Sequence, residues 1–87
     1  MTDKIRAVVL AAIHEVFNTE GDPALMALVE SPDFAFEELG GDSIDGTDFC
    51  FQVEEALDIE IEMSDLEDFP TMSAFVAMLN ERMSRAA

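Results

Sequence analysis

Phe36-Glu37-Glu38-Leu39-Gly40-Gly41-Asp42-Ser43-Ile44-Asp45 is the stretch from which the rest of the chain can be read. Two glycines make a flexible turn, an Asp-Ser pair follows, and a helical pattern begins directly after it. Asp42 or Ser43 is expected to cap that helix, with the first-turn carboxylate of Asp45 at its positive end. The Ser43 hydroxyl is then held at an exposed loop–helix junction, within reach of another molecule. Apolar Phe36 and Leu39 are expected to pin the incoming loop to a core.

The helix that starts here is predicted to run from Ser43 to Leu57. On a helical wheel Phe49, Cys50, Val53, Ala56 and Leu57 share one face, with Gly46 on the same side. A glycine in an exposed helix interior costs ~1 kcal/mol against alanine, so Gly46 suggests close approach of a neighbouring element. Cys50 points to the core and reads as a small hydrophobe rather than a reactive thiol. Ile44 and Phe51 break the pattern. They lie on the outer face, beside Thr47, Asp48, Glu54 and Glu55, and two apolar residues at i and i+7 among carboxylates suggest an interface.

Downstream, Leu57-Asp58-Ile59-Glu60-Ile61-Glu62-Met63 alternates as a strand does. No other segment offers it a partner, and an isolated strand has nowhere to place its backbone hydrogen bonds. The segment is therefore expected to be an extended link that drops Ile59 and Ile61 into the core. Asp65 to Phe69 fits one short helix. Phe69-Pro70-Thr71 resets the chain, Thr71 is the next N-cap, and Met72, Phe75, Val76, Leu79 and Met83 give a helix to about Arg85.

Upstream, Ile5, Val8, Val9, Ala12, Ile13, Val16 and Phe17 recur at helical spacing, which predicts a first helix over 3–17, stopped by Asn18 and Gly21. His14 falls opposite that stripe and is expected to be solvated. Residues 18–42 form a long connection interrupted by Pro23 and Pro32. A structureless loop of that length is unusual in a small domain, and apolar Ala24 to Val29 is expected to make one or two helical turns within it.

Length and charge bound the function. Eighty-seven residues make one domain, 1–87, with a modest core and no room for a large enzyme cleft. A single cysteine excludes an intramolecular disulfide, which suits a reducing compartment. No apolar run approaches the length of a membrane span, and the N-terminus lacks a signal-peptide layout, so a cytoplasmic protein is expected. The formal net charge is −16, with no Lys or Arg between Arg6 and Arg82. Nucleic acid and anionic membrane are repelled by such a surface, and basic partners are attracted.

The Leu39-Gly40-Gly41-Asp42-Ser43-Ile44 block resembles the attachment motif of the carrier-protein family, the acyl and peptidyl carriers of fatty acid, polyketide and nonribosomal peptide synthesis. That motif is Gly-x-Asp-Ser-Leu/Ile, preceded by Leu-Gly and followed by a helix. The alternating segment to Ile61 and the Phe69-Pro70-Thr71 block are similar to carrier-protein features too, so the resemblance covers most of the chain from Phe36 onward. It implies that Ser43 carries 4′-phosphopantetheine on a phosphodiester, within the motif of Gly41, Asp42 and Ile44, and that the thiol at its far end holds the cargo.

Pattern and resemblance together predict an all-α fold, a small four-helix bundle of three longer helices and one short one, with a long first loop. The expected role is that of a free-standing, monomeric carrier with no catalytic residues of its own. A phosphopantetheinyl transferase would load it from coenzyme A. Loading and synthase enzymes with basic patches would dock on Ile44, Asp45, Thr47, Asp48, Phe51, Glu54 and Glu55. Gly-Gly-Asp-Ser-Ile and Phe-Pro-Thr lean towards polyketide or peptide pathways.

Other chemistries fit less well. Gly-Asp-Ser-Ile also matches the nucleophile block of GDSL-type hydrolases, but these need a longer α/β chain and a histidine base near the C-terminus, whereas His14 lies upstream. Asp58, Glu60, Glu62 and Asp65 lack the central glycine of an EF-hand loop, leaving loose divalent binding at most. One Cys and one His cannot close a structural zinc site, and no Gly-x-x-x-x-Gly-Lys loop is present. The competing class is an unmodified acidic helical module for one basic partner. It accounts for the charge and Phe51 but not for the Gly40–Ile44 block.

Overall fold

The computed structural model describes residues 2–86. Five helices follow one another: α1 (Thr2–Phe17), α2 (Pro23–Glu30), α3 (Ser43–Leu57), α4 (Met63–Asp68) and α5 (Met72–Ala86). The expected all-α bundle is present, and the only β pairing among the described residues is an isolated bridge between Ala35 and Thr71. The count differs by one from the four-helix expectation because the long first connection carries α2, whose Pro23 stands at the first helical position after the Asp22 cap. Short 3₁₀ turns at Thr19–Gly21 and Phe36–Leu39 lie on either side of α2 in the same connection.

α1 packs on α3 and α5. Its buried stripe of Ile5, Val9, Ala12 and Ile13 meets Phe49, Cys50 and Val53 of α3 and Met72, Phe75, Val76, Met78 and Leu79 of α5. Asn18 and Asp58 end α1 and α3 in the left-handed region, with φ of 51° and 55°. Asn and Asp adopt that conformation more readily than most side chains because they hydrogen-bond locally. On α3 the predicted inner face holds for Phe49, Cys50 and Val53 and partly for Leu57, but Ala56 is exposed. The apolar arc is narrower than the wheel suggested, and the last turn of α3 overhangs it.

The two links are held by different means. Between α2 and α3, Phe36 N–H donates to Pro70 C=O (2.9 Å) and Met72 N–H to Phe34 C=O (2.8 Å). Asp33 Oδ1 accepts from Ser73 N–H (2.8 Å) and Oδ2 from the Ser73 hydroxyl (2.7 Å), so this carboxylate caps α5 from 40 residues away. Those bonds, led by the Ser73 hydroxyl, hold the Asp33 carboxyl below its ordinary range. Phe36 then enters an aromatic cluster, with ring centroids 5.5 Å from Phe49 and 5.2 Å from Phe75.

Between α3 and α4 the chain is extended, as expected, with Ile61 buried and Ile59 half-buried. Burial of a side chain such as Ile61 is worth ~1.5–3 kcal/mol, which favours an extended path that aims it inward. Glu54 Oε1 accepts from Ile61 N–H (2.9 Å) and so ties the link back to α3.

Two polar residues depart from their expected surroundings. His14 is half-buried, and its Nδ1 shares a hydrogen bond with the hydroxyl of Thr19, which is fully buried, so His14 is not the solvated residue the wheel suggested. The cause is the turn after α1, which folds Thr19 back under the helix end. Asp65, grouped by sequence with an acidic surface, is buried and paired with Arg82 at 2.7 and 2.8 Å. That bidentate contact lowers the Asp65 carboxyl and raises the Arg82 guanidinium.

Candidate functional site

The N-terminus of α3 is built by its own first residues. Gly40 has φ +75°, a conformation that costs a glycine little, and it turns the chain out of the 3₁₀ segment. Asp42 is extended and caps the helix: its Oδ1 accepts from Ile44 N–H and Asp45 N–H, both at 3.0 Å. Asp45 Oδ2 accepts in return from Asp42 N–H at 3.2 Å. This reciprocal box of two aspartates satisfies three backbone donors. Of the two expected caps, Asp42 is the one used, and Ser43 is left exposed at the first helical position.

Ser43 lines a cleft of about 550 Å³ between the loop before α3, α3 itself and α4. The walls are largely apolar, from Phe17, Phe36, Leu39, Phe49, Met63 and Leu66. Glu37, Asp42 and Glu67 add carboxylates. Gly46 faces α4 as anticipated: a Cβ there would lie 3.0 Å from the Met63 methyl and 3.4 Å from its sulfur. Sequence reading missed Phe17 and Met63 as site residues. Phe17 fitted the core stripe of α1, and Met63 ended an alternating segment, so neither pattern pointed to Ser43.

The outer face of α3 carries Ile44, 70% exposed, and Phe51, 55% exposed, as the wheel required. Met63 is a third exposed apolar residue that the wheel did not offer. Thr47, Asp48 and Glu55 are exposed with them. The Thr47 hydroxyl donates to Ser43 C=O at 2.8 Å. Asp45 and Glu54 are only half-exposed, and each spends a carboxylate oxygen on the fold, in the cap and on the α3–α4 link. Cys50 is buried, and burial, with the charges of Asp65 and Glu54, pushes its thiol up to about 11.

The family model for the phosphopantetheine attachment site matches residues 7–79. The chain belongs to this family. Membership is defined by covalently attached 4′-phosphopantetheine, and its carrier domains are typically non-catalytic. It also implies dealings with a phosphopantetheinyl transferase and with synthase enzymes in general. A search of curated proteins returned no match, and neither did a search of solved structures. Among the described residues no helix is long and apolar enough to cross a membrane, and no cluster of His, Cys, Asp or Glu is placed to hold a metal ion.

The residues around Ser43 fit the group that defines the family. An exposed hydroxyl on the first turn of a helix sits at the positive end of the macrodipole, which favours an attached phosphate. The neighbouring cleft, with apolar walls and no cation lining it, suits a neutral chain better than an anionic one.

Proposed function

We propose that Ser43 bears the phosphopantetheine and that the chain carries acyl or aminoacyl groups as thioesters between partner enzymes. The supporting observation is the Asp42 cap, which fixes the helix start while leaving the adjoining serine hydroxyl exposed beside an apolar cleft. The bound group would supply a thiol for thioester chemistry. The chain's own residues do the rest: Asp42 and Asp45 hold the helix start, Phe36 and Leu39 fix the loop, and the cleft shields an apolar segment from water. In this reading the transferase takes the Ser43 proton, since the chain's one histidine is engaged by Thr19 on the α1 side and offers Ser43 no base.

The outer face of α3 is the proposed docking surface. Ile44 and Phe51 provide apolar contact, and Asp48 and Glu55 the charge that steers a basic partner. Thr47 completes the face, while Asp45 and Glu54 contribute charge from positions partly committed to the fold. Cargo from polyketide or nonribosomal peptide synthesis is favoured over fatty acid synthesis by the Gly-Gly-Asp-Ser-Ile and Phe-Pro-Thr blocks, and we place the protein in the cytoplasm.

The test is incubation with coenzyme A and a broad-specificity phosphopantetheinyl transferase, followed by intact mass and then by acylation of the new thiol. One added group that accepts an acyl chain supports the reading. An unchanged mass with a transferase that modifies a control carrier favours the unmodified acidic module instead.

A further inference from the structure

The two glycines before Asp42 are glycines for different reasons. Gly40 needs its backbone, at φ +75°, and has open space around it. Gly41 does not lie in the left-handed region, but a Cβ on it would sit 2.4 Å from Phe17 Cε1, 3.0 Å from Phe17 Cζ and 3.0 Å from Asp45 Cβ. Real Cβ atoms essentially never come as near as 2.4 Å, so an alanine at position 41 fits only if the Phe17 ring or the turn shifts. Phe17 is half-buried in the last turn of α1, packs on the core and lines the same cleft as Ser43. It therefore links α1 to the turn that sets the Asp42 cap.

We infer that Phe17 is a positioning residue for the modification of Ser43: its ring, seated on Gly41, holds the Gly40–Gly41 turn and through the Asp42–Asp45 box fixes where the Ser43 hydroxyl stands. The inference rests on Ser43 being the attachment site. It differs from docking in its kinetic signature. The outer face of α3 is untouched by Phe17, so the partner still binds and the loss falls on kcat rather than on KM.

The experiment measures kcat and KM for phosphopantetheine transfer to wild type, Gly41→Ala, Phe17→Leu and the double variant, each with a thermal melt. Misplacing a reacting group by about 1 Å can cost ~100-fold, so Gly41→Ala is expected to lower kcat by roughly tenfold or more. Phe17→Leu, which shortens the side chain, should lower kcat less on its own and return part of the rate to Gly41→Ala. Met78→Ala is the control, since Met78 is buried on α5 and does not line the cleft. It should lower the melting temperature while leaving the kinetics of folded protein alone.

A Gly41→Ala rate equal to wild type, a double variant no faster than Gly41→Ala, or a rise in KM with kcat unchanged overturns the inference. So does a Met78→Ala protein slowed as much as the others at a matched melting temperature. Should Gly41→Ala fail to fold, Phe17→Leu decides: a wild-type kcat counts against the ring, a lowered kcat with KM unchanged supports it. A wild type that takes up no group at all sinks the Ser43 reading itself, which is a different result from any of these.

Discussion

Phe49 and Phe51 are the same residue two positions apart on α3, and they have opposite fates. Phe49 is 3% exposed, with its ring among those of Phe36 and Phe75, whereas Phe51 is 55% exposed among carboxylates. The difference follows from helical geometry alone, since residues two apart fall on well-separated faces. The inner face of α3 is consumed by the fold. The outer face, and the serine at its N-terminal edge, stays exposed.

The largest expected effect is on the inner side. Phe49→Ala should destabilise the protein by roughly 3–5 kcal/mol, because the cavity would open beside the packed rings of Phe36 and Phe75. Urea melts measure this directly. A loss comparable to that of a surface change would mean that the faces are not divided as described.

Charge shows the same contrast. Asp65 is buried and bonded to Arg82, Arg82 being about a third exposed, while Asp48 and Glu55 stand in solvent. Asp65→Asn should cost about 2 kcal/mol near neutral pH, allowing for the exposure of Arg82. The sign with pH follows from the lowered carboxyl. Its stabilisation is complete above the unfolded value, ordinarily 3.8, and is lost as pH falls through the lower folded value. The stability gap between wild type and Asp65→Asn should therefore be full at about pH 6 and shrink towards about pH 2. A gap independent of pH would show that the pair contributes no charge interaction.

At the junction of the two faces, Asp42→Ala should cost about 1 kcal/mol of stability, the ordinary worth of an N-cap. Smaller still is the effect of ionic strength on the outer surface. Eleven carboxylates and no basic residue lie from Asp42 to Asp68. Moderate salt with magnesium should raise the melting temperature at neutral pH, at roughly 4–8 °C per kcal/mol of relieved repulsion for a domain of this size. A flat or falling melt would mean that these charges are already well separated or paired.

The inward turn of Phe49, Cys50 and Val53, the start of α3 at the Asp42–Ser43 pair and the exposure of Ile44 and Phe51 were legible in sequence because each depends on local periodicity or on a two-residue turn signal, although the wheel wrongly placed Ala56 inside and left the choice of cap open. Ile61 was legible for a related reason, alternation without a partner strand. What escaped depends on contacts distant along the chain. Nothing near Asp33 says that it caps α5 through Ser73, and nothing near Asp65 says that Arg82 will reach it. Phe17 matched the core stripe perfectly well, and its contact with Gly41 exists only once α1 lies beside the turn. His14 was misjudged because a wheel treats a helix as ending in solvent, whereas the Thr19 turn folds back under it.

The smallest expected change in stability is that of Phe51→Ala, within about ±0.5 kcal/mol, with slower transferase and loading reactions as its real signature. If Phe51→Ala unfolds the protein as badly as Phe49→Ala, the two faces are misassigned. If it stays folded and every partner reaction runs at the wild-type rate, the outer face is exposed but unused.

The most direct measurement is the identity of the modified residue. Wild type and Ser43→Ala would each be treated with coenzyme A and transferase, digested, and sequenced by tandem mass spectrometry. The expected result is one phosphopantetheine, on the peptide containing Ser43, and none on the variant. A modified Ser43→Ala protein, or a group found on Ser31, Ser64, Ser73 or Ser84, would contradict it.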